Sequence, residues 1–318
     1  MTRLLEVTGL HVRYGDDVHA VNDVSFTLDR GEILGVAGES GCGKSTLITA
    51  LLRLTRPPAR VTAGSIRFGE VDLLTLGDKQ LRTMRWERLA IVFQSAMNAL
   101  NPVHRLGSQF VDVIRTHRGG GRAEAWDKAA RLLGLVGIPA DRLRAYPHEL
   151  SGGMRQRATI ALALACEPDL VVMDEPTTAV DVVMQRQIMR QIMRLREELG
   201  FAIVFVTHDL SLLIEIADRI AIMYGGRIVE LASAREIYDS PQHPYTLGLR
   251  DSFPPLHGPR RELHGIPGSP PDLRNLPDGC AFAARCPSRM DACARSLPAL
   301  TDLGGRQVAC LLHTGAHP

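Results

Sequence analysis

Three observations predict an α/β fold with a mainly parallel sheet at its core. Four short apolar runs, residues 33–37, 89–93, 170–173 and 201–206, read as strands buried on both faces. Helical periodicity occupies stretches between them. Each run is followed by a polar or glycine residue: Gly38, Gln94, Asp174 with Glu175, and Thr207 with His208. Ligands of open α/β sheets sit outside the carboxyl ends of the strands, so these endings are expected to converge on one crevice.

The other elements follow from local pattern. Residues 7–29 alternate apolar positions with turn residues and predict antiparallel strands, a small β-subdomain beside the main sheet. Beyond Gln94 the pattern turns helical, with "AEAWDKAARLLGLVGI" before Pro139, and predicts an inserted helical subdomain over about residues 95–165. In "VMQRQIMRQIMRLREELG", Ile188, Ile192, Leu195 and Leu199 share one helix face that stops at Gly200, and the methionines read as core filling. From about residue 240 the chain becomes rich in proline and glycine ("PQHPYT", "FPPLHGP", "GIPGSPPDLRNLPDG"). That composition predicts a linker and an irregular appendage over 241–318, after a main domain over 1–240. No internal repeat is present.

Composition narrows the function classes. The 318 residues are 45% hydrophobic and 23% charged, ordinary for a globular chain with a sizeable core. A formal net charge of +2 gives no bulk electrostatic reason to bind nucleic acid or a membrane surface. No basic region followed by an apolar stretch stands at the start, and no apolar run approaches the roughly 20 residues that span a bilayer. The expectation is a cytosolic chain whose membrane role comes through partners. Four of the six cysteines crowd the C-terminal region. In a reducing compartment that crowding points to metal binding or to free thiols rather than to disulfides.

Two motifs carry chemistry. Gly38-Glu39-Ser40-Gly41-Cys42-Gly43-Lys44-Ser45-Thr46 fits G-x-x-x-x-G-K-[ST], after a strand and before an apolar helix, as a phosphate-binding P-loop requires. The glycines let backbone N–H groups curl toward phosphate oxygens, and the helix N-terminus adds its positive end. Lys44 is expected to reach the β- and γ-phosphates of ATP and the Ser45 hydroxyl to meet Mg²⁺, while Cys42 fills a variable slot of the loop. The second motif, residues 169–175, is an apolar strand ending in two carboxylates, a Walker B pattern. Asp174 is expected to hold Mg²⁺, and Glu175 to orient or deprotonate the attacking water.

With Leu150-Ser151-Gly152-Gly153-Met154-Arg155-Gln156-Arg157 shortly before that strand, the chain resembles the ABC ATPases, whose signature reads LSGGQ. The resemblance covers roughly residues 3–240. It implies Gln94 as the Q-loop residue that also meets Mg²⁺, Asp181 in "TTAVD" as the D-loop residue, His208 as the switch histidine, and Tyr14 as the aromatic residue stacked on adenine. "TAVD" departs from the commoner "SALD", with Asp181 retained. Ser151, Gly152 and Gly153 open a helix whose N-terminus suits a γ-phosphate. In that family the phosphate belongs to ATP on an opposing cassette, so two cassettes sandwich two nucleotides. A long coiled coil before the signature would mark a DNA-repair ABC protein, and a second P-loop a translation-factor type; neither is present.

"FQSAMNALNPV", "SGGMRQR", "SPQHPYT" and "RRELHGIPGSPPDL...PDGCAFAARC" narrow the resemblance to the ATP-binding subunits of dipeptide and oligopeptide permeases and related nickel importers, with the methionines favouring the D-type subunit. What this implies is an ATPase that energises uptake, peripheral on the cytoplasmic face of the cell membrane. Its implied partners are a second cassette (an F-type homologue, otherwise an identical copy), two transmembrane permease subunits near residues 96–103 and, indirectly, an extracytoplasmic solute-binding protein, with no nucleic acid. Cys280-x5-Cys286-x6-Cys293-x16-Cys310 lacks the tight C-x2-C knuckle of zinc sites. The resemblance implies a [4Fe–4S] cluster there, with zinc and free thiols as the other readings.

Overall fold

Residues 3–14 and 18–29 alternate apolar and polar side chains around a short turn. They form β1 (Arg3–Tyr14) and β2 (Val18–Asp29), with Leu4, Leu5, Val7, Leu10 and Val12 of β1 buried. β1 pairs antiparallel with β4 (Ala59–Phe68), which pairs with the two-residue β5 (Val71–Asp72), in a four-stranded sheet of order β2-β1-β4-β5. The predicted β-subdomain is present. β4 was not anticipated, because Thr62, Ala63, Gly64 and Ser65 break its apolar alternation.

This computed structural model describes residues 2–93, 99–176, 182–253 and 265–313. By internal contacts the chain divides into two compact units. The first comprises Met1–Thr2, Asp29–Glu32 and Thr75–Val204, and the second Arg3–Leu28, Ile33–Leu74 and Phe205–Pro318.

In the second unit, the fully buried β3 (Ile33–Ala37) lies parallel to β9 (Arg219–Tyr224), Leu34 opposite Arg219 and Ala37 opposite Ile222. β9 turns into β10 (Arg227–Ser233) through Gly225 and Gly226, both at positive φ, as a two-residue hairpin demands. β3 leads through residues 38–43 into α1 (Lys44–Leu51), which buries Leu47, Ile48, Ala50 and Leu51.

The tail is less irregular than its composition predicts. "PQHPYT" starts a helix, α9 (Pro244–Asp251), which follows α8 (Ala234–Asp239). Proline at the first helical position costs no hydrogen bond, and the His243 side chain caps the helix by accepting the Tyr245 N–H at 3.0 Å. The fully buried Glu230 carboxylate accepts the N–H groups of Gln242 and His243 at 2.8 and 2.9 Å. Further on, β11 (Thr301–Asp302) pairs with β12 (Gln307–Val308), and β12 adds antiparallel to β10 with Val308 opposite Glu230. Among the described residues, therefore, the tail extends the sheet edge at β10, which is joined through β9 to the strand that leads into the P-loop, β3. "FPPLHGP" lies largely outside the described residues.

In the first unit, α2 (Asp78–Glu87) precedes β6 (Leu89–Val92), which runs parallel to β7 (Leu170–Asp174), Leu89 opposite Leu170. Phe93, expected at the end of the first of these strands, is exposed beyond it. The predicted helical region holds α3 (Leu106–Arg118), α4 (Arg122–Leu135) and α5 (Gly152–Ala163). Phe110, Val111 and Ile114 of α3 and Ala125, Ala129 and Leu133 of α4 are buried, the spacing of amphipathic helices. α6 (Val182–Leu199) buries Ile188, Met189, Ile192 and Leu195. β8 (Ala202–Val206) carries the chain into the second unit, and α7 (Leu210–Ile216) follows it.

Candidate active site

Gly38 and Gly43 shape the loop between β3 and α1. They sit at φ 152° and 106°, and a Cβ on either would collide with backbone, at the Met223 carbonyl and the Ala20 carbonyl respectively. Only glycine fits both positions. Gly43 is the N-cap residue of α1, and no side chain caps that helix, so its first amides stay open to an anion. Lys44 is 7% exposed, and its Nζ donates to the carbonyls of Gly38 at 2.7 Å and Glu39 at 2.9 Å. Cys42 is buried, and desolvation pushes its thiol up despite the nearby Lys44 ammonium. Its side chain is enclosed within the loop, 3% exposed. Ser45 and Thr46 lie in the first turn of α1. The Tyr14 hydroxyl, at the end of β1, is 3.2 Å from Thr46 Oγ1, so the aromatic residue expected against adenine stands at the P-loop. His208, also in this unit, is exposed just past β8, and the preceding Thr207 accepts the Asp209 N–H through its hydroxyl at 3.1 Å.

The first unit holds the carboxylates and the signature. Asp169, at the entry of β7, is held by Arg88 Nε at 2.7 Å and Arg30 Nη1 at 3.1 Å, which anchors the strand that ends in Asp174. Glu175 has φ 44°, a left-handed backbone rare for a non-glycine residue and concentrated at functional sites. Ser151 is the N-cap of α5, its hydroxyl accepting the Met154 N–H at 3.2 Å. Gly152 and Gly153 form the first turn. A Cβ on Gly153 would press on the Met184 thioether, so the missing side chain lets α6 pack there. α5 and the end of β7 are tied directly, because the buried Gln156 donates its side-chain amide to the Pro176 carbonyl. Arg157 donates to the Val136 carbonyl at 2.8 Å, and burial lowers its pKa.

Gln94 and Asp181 lie outside the described residues, as does most of the stretch expected to face permease subunits. Nothing in the sequence gives Gln156 a role within its motif. Nor does it single out Tyr245 or Arg285, whose contacts with Glu39 join residues 206 and 246 positions apart.

Cys280, Cys286, Cys293 and Cys310, expected to hold a cluster in the tail, do not stand around a single ion position. Among the described residues, no three His, Cys, Asp or Glu side chains stand where they would hold one ion. Cys280, Cys286, Cys293 and Cys310 do line one pocket, with Phe282, Leu311 and Leu312 among its other walls. Desolvation pushes the Cys280 and Cys286 thiols up, and that of Cys310 up to about 11.

Comparison with known proteins agrees with this geometry. The family model "ABC transporter" matches residues 21–178, and "Oligopeptide/dipeptide transporter, C-terminal region" matches residues 229–293. The chain is 44% identical over 312 residues to the oligopeptide transport ATP-binding protein OppD of Salmonella typhimurium, covering 96% of this chain and 93% of that protein. It is 44% identical over 307 residues to the dipeptide transport ATP-binding protein DppD of Bacillus subtilis, covering 95% and 92%. A solved ATP-binding cassette, dimeric in a post-hydrolysis state with ADP and Pi, superposes with a TM-score of 0.65 at 26% identity, covering 73% of this chain and 99% of that one. A phosphate loop shaped by two obligatory glycines, a carboxylate pair ending β7, a serine-capped signature helix and near full-length relatives together place the chain among the ABC transporter ATPases, in the oligopeptide/dipeptide ATP-binding branch.

Proposed function

We propose that this chain is the ATP-hydrolysing subunit of an importer that drives uptake of di- and oligopeptides across the cytoplasmic membrane. The observation that carries the reading is the P-loop itself: an open helix N-terminus, glycine-only backbone and a buried lysine folded onto the loop carbonyls. Gly38, Ser40, Gly41, Cys42, Gly43, Lys44, Ser45 and Thr46 cradle the triphosphate, with Tyr14 stacked on the adenine. Ser45, Gln94 and Asp174 would hold Mg²⁺, which neutralises charge on the phosphates. Glu175 accepts a proton from the attacking water, and Gln94 and His208 line the γ-phosphate. Ser151, Gly152, Gly153 and Asp181 serve the nucleotide of an opposing cassette.

We read residues 1–240 as the nucleotide-binding domain, with a helical subdomain over about 95–165, and 241–318 as the permease-type C-terminal region. The match of one family model to 21–178 and another to 229–293 supports that division. The partners proposed are an F-type second cassette, otherwise an identical copy, and two transmembrane permease subunits fed by a solute-binding protein. Among the described residues no helix is long and apolar enough to cross a membrane, in keeping with a peripheral subunit on the cytoplasmic face. Purification from native membranes tests the assignment: recovery with two permease subunits supports it, and recovery with DNA or ribosomes contradicts it.

For the tail, the [4Fe–4S] cluster remains the proposal, on the support of four cysteines lining one pocket within a region matching the permease family. It takes no step in ATP chemistry. Anaerobic purification giving iron and sulfide would support it; a colourless zinc protein, or one without metal, would overturn it.

A further inference from the structure

A phosphate-binding loop that carries a carboxylate poses an electrostatic problem. Glu39 is the second residue of the loop, and an unpaired anion there opposes the binding of a polyanion. In this chain every polar group of Glu39 has a partner. Its N–H donates to the Tyr245 hydroxyl at 2.8 Å, and its carbonyl accepts from Lys44 Nζ. Its two carboxylate oxygens accept from the fork of Arg285, Nη1 to Oε2 at 2.6 Å and Nη2 to Oε1 at 2.9 Å. Such bidentate pairing fixes geometry as well as charge.

The Arg285 side chain is only 6% exposed and is itself held on all sides. Nε donates to the Pro267 carbonyl at 2.7 Å, Nη1 also donates to the Tyr224 hydroxyl at 3.2 Å, and the guanidinium stands 5.8 Å from the Tyr224 ring centroid and 5.9 Å from that of Phe282. Tyr224, Tyr245 and Phe282 pack against one another with centroids 4.5–5.3 Å apart. Both groups that grip Glu39 from outside the loop therefore come from the C-terminal region, Tyr245 on α9 and Arg285 between Cys280 and Cys286.

We propose that Arg285 is a positioning residue for nucleotide binding, which neutralises Glu39 and pins the P-loop so that the C-terminal region sets the affinity for ATP. This rests on the nucleotide-site reading above. A buried pair is poor evidence of net stability, because desolvation offsets the attraction, but breaking one leaves an uncompensated charge. Arg285→Met is then expected to free a carboxylate inside the loop. Removing that carboxylate as well should relieve the defect.

The experiment is a double-mutant cycle on the full chain, with the Kd for MgATP measured by calorimetry for wild type, Arg285→Met, Glu39→Gln and the double variant, alongside thermal melts without nucleotide. Arg285→Met should weaken MgATP by about tenfold, and Glu39→Gln in that background should restore most of the loss, a coupling within the range found for contacting residues. If Arg285→Met does not fold, Arg285→Lys, which keeps the cation and loses the fork, is read the same way: a loss relieved by Glu39→Gln supports the proposal. An unchanged affinity, or a loss that persists in the double variant, overturns it. Wild type binding MgATP with no coupling would sink this proposal alone, whereas wild type failing to bind MgATP would sink the nucleotide site and this proposal with it.

Discussion

Gln156 on α5 donates its side-chain amide to the carbonyl of Pro176, one residue beyond Glu175, so the signature helix and the end of the Walker B strand share a buried hydrogen bond. Gln156→Ala would leave that carbonyl unpaired, at a cost of about 1–3 kcal/mol. We expect a lower urea midpoint and a reduced kcat for ATP, with MgATP affinity little changed because the P-loop is untouched. Unaltered turnover would show that this bond does not position the catalytic carboxylate.

Lys44 is expected to exchange the carbonyls of Gly38 and Glu39 for phosphate oxygens when nucleotide arrives. Hydrogen bonds to charged groups contribute ~1.5–3 kcal/mol, so Lys44→Ala should weaken MgATP by about tenfold to a hundredfold. Equilibrium binding measures this directly. An unchanged Kd would remove the lysine from the cradle.

Tyr14 separates two contributions, ring stacking and its hydroxyl contact with Thr46. Tyr14→Phe keeps the ring and should bind MgATP nearly as wild type. Tyr14→Ala should lose about threefold to tenfold, since aromatic stacking is worth ~0.5–1.5 kcal/mol. Equal losses in the two variants would assign the effect to the hydroxyl instead.

The capping box of α8 gives a pH dependence. Hydrogen bonding from Ser233, then from Arg306, holds the Glu236 carboxyl below its ordinary value of 4.5. The folded state thus favours the ionised form, so the stabilisation is complete above pH 4.5 and is lost as pH falls through the lower folded value. Glu236→Gln should lie below wild type by a constant amount above pH 6 and converge with it as the pH falls, so that its acid limb is flatter. An acid limb identical to wild type would contradict the linkage.

Much of the site was legible because its chemistry is local. The P-loop glycines are dictated by backbone that no other residue fits, and the strands before Gly38 and Asp174 are continuous apolar runs typical of buried parallel strands. β9 and β10 carry equally apolar runs around a Gly-Gly pair, a hairpin signal passed over because neither ends in a catalytic residue. The start of α9 is masked in the sequence by the prolines around it, whose composition is that of a linker. β12 is two residues long, below any periodicity window. The pairing of Arg285 with Glu39 spans 246 positions and has no local signature, so folding alone reveals it. The cysteine spacing was legible as a cluster of thiols, but their state depends on burial, which spacing does not encode.

We propose that ATP is hydrolysed between two cassettes, with Glu175 activating water. Size-exclusion chromatography with light scattering on Glu175→Gln, co-expressed with its partner cassette and given MgATP, tests it most directly. The variant is expected to bind ATP, not to turn it over, and to accumulate as the paired species. A variant that binds ATP yet hydrolyses it at the wild-type rate, or never pairs in response to it, would rule out hydrolysis between paired cassettes through Glu175.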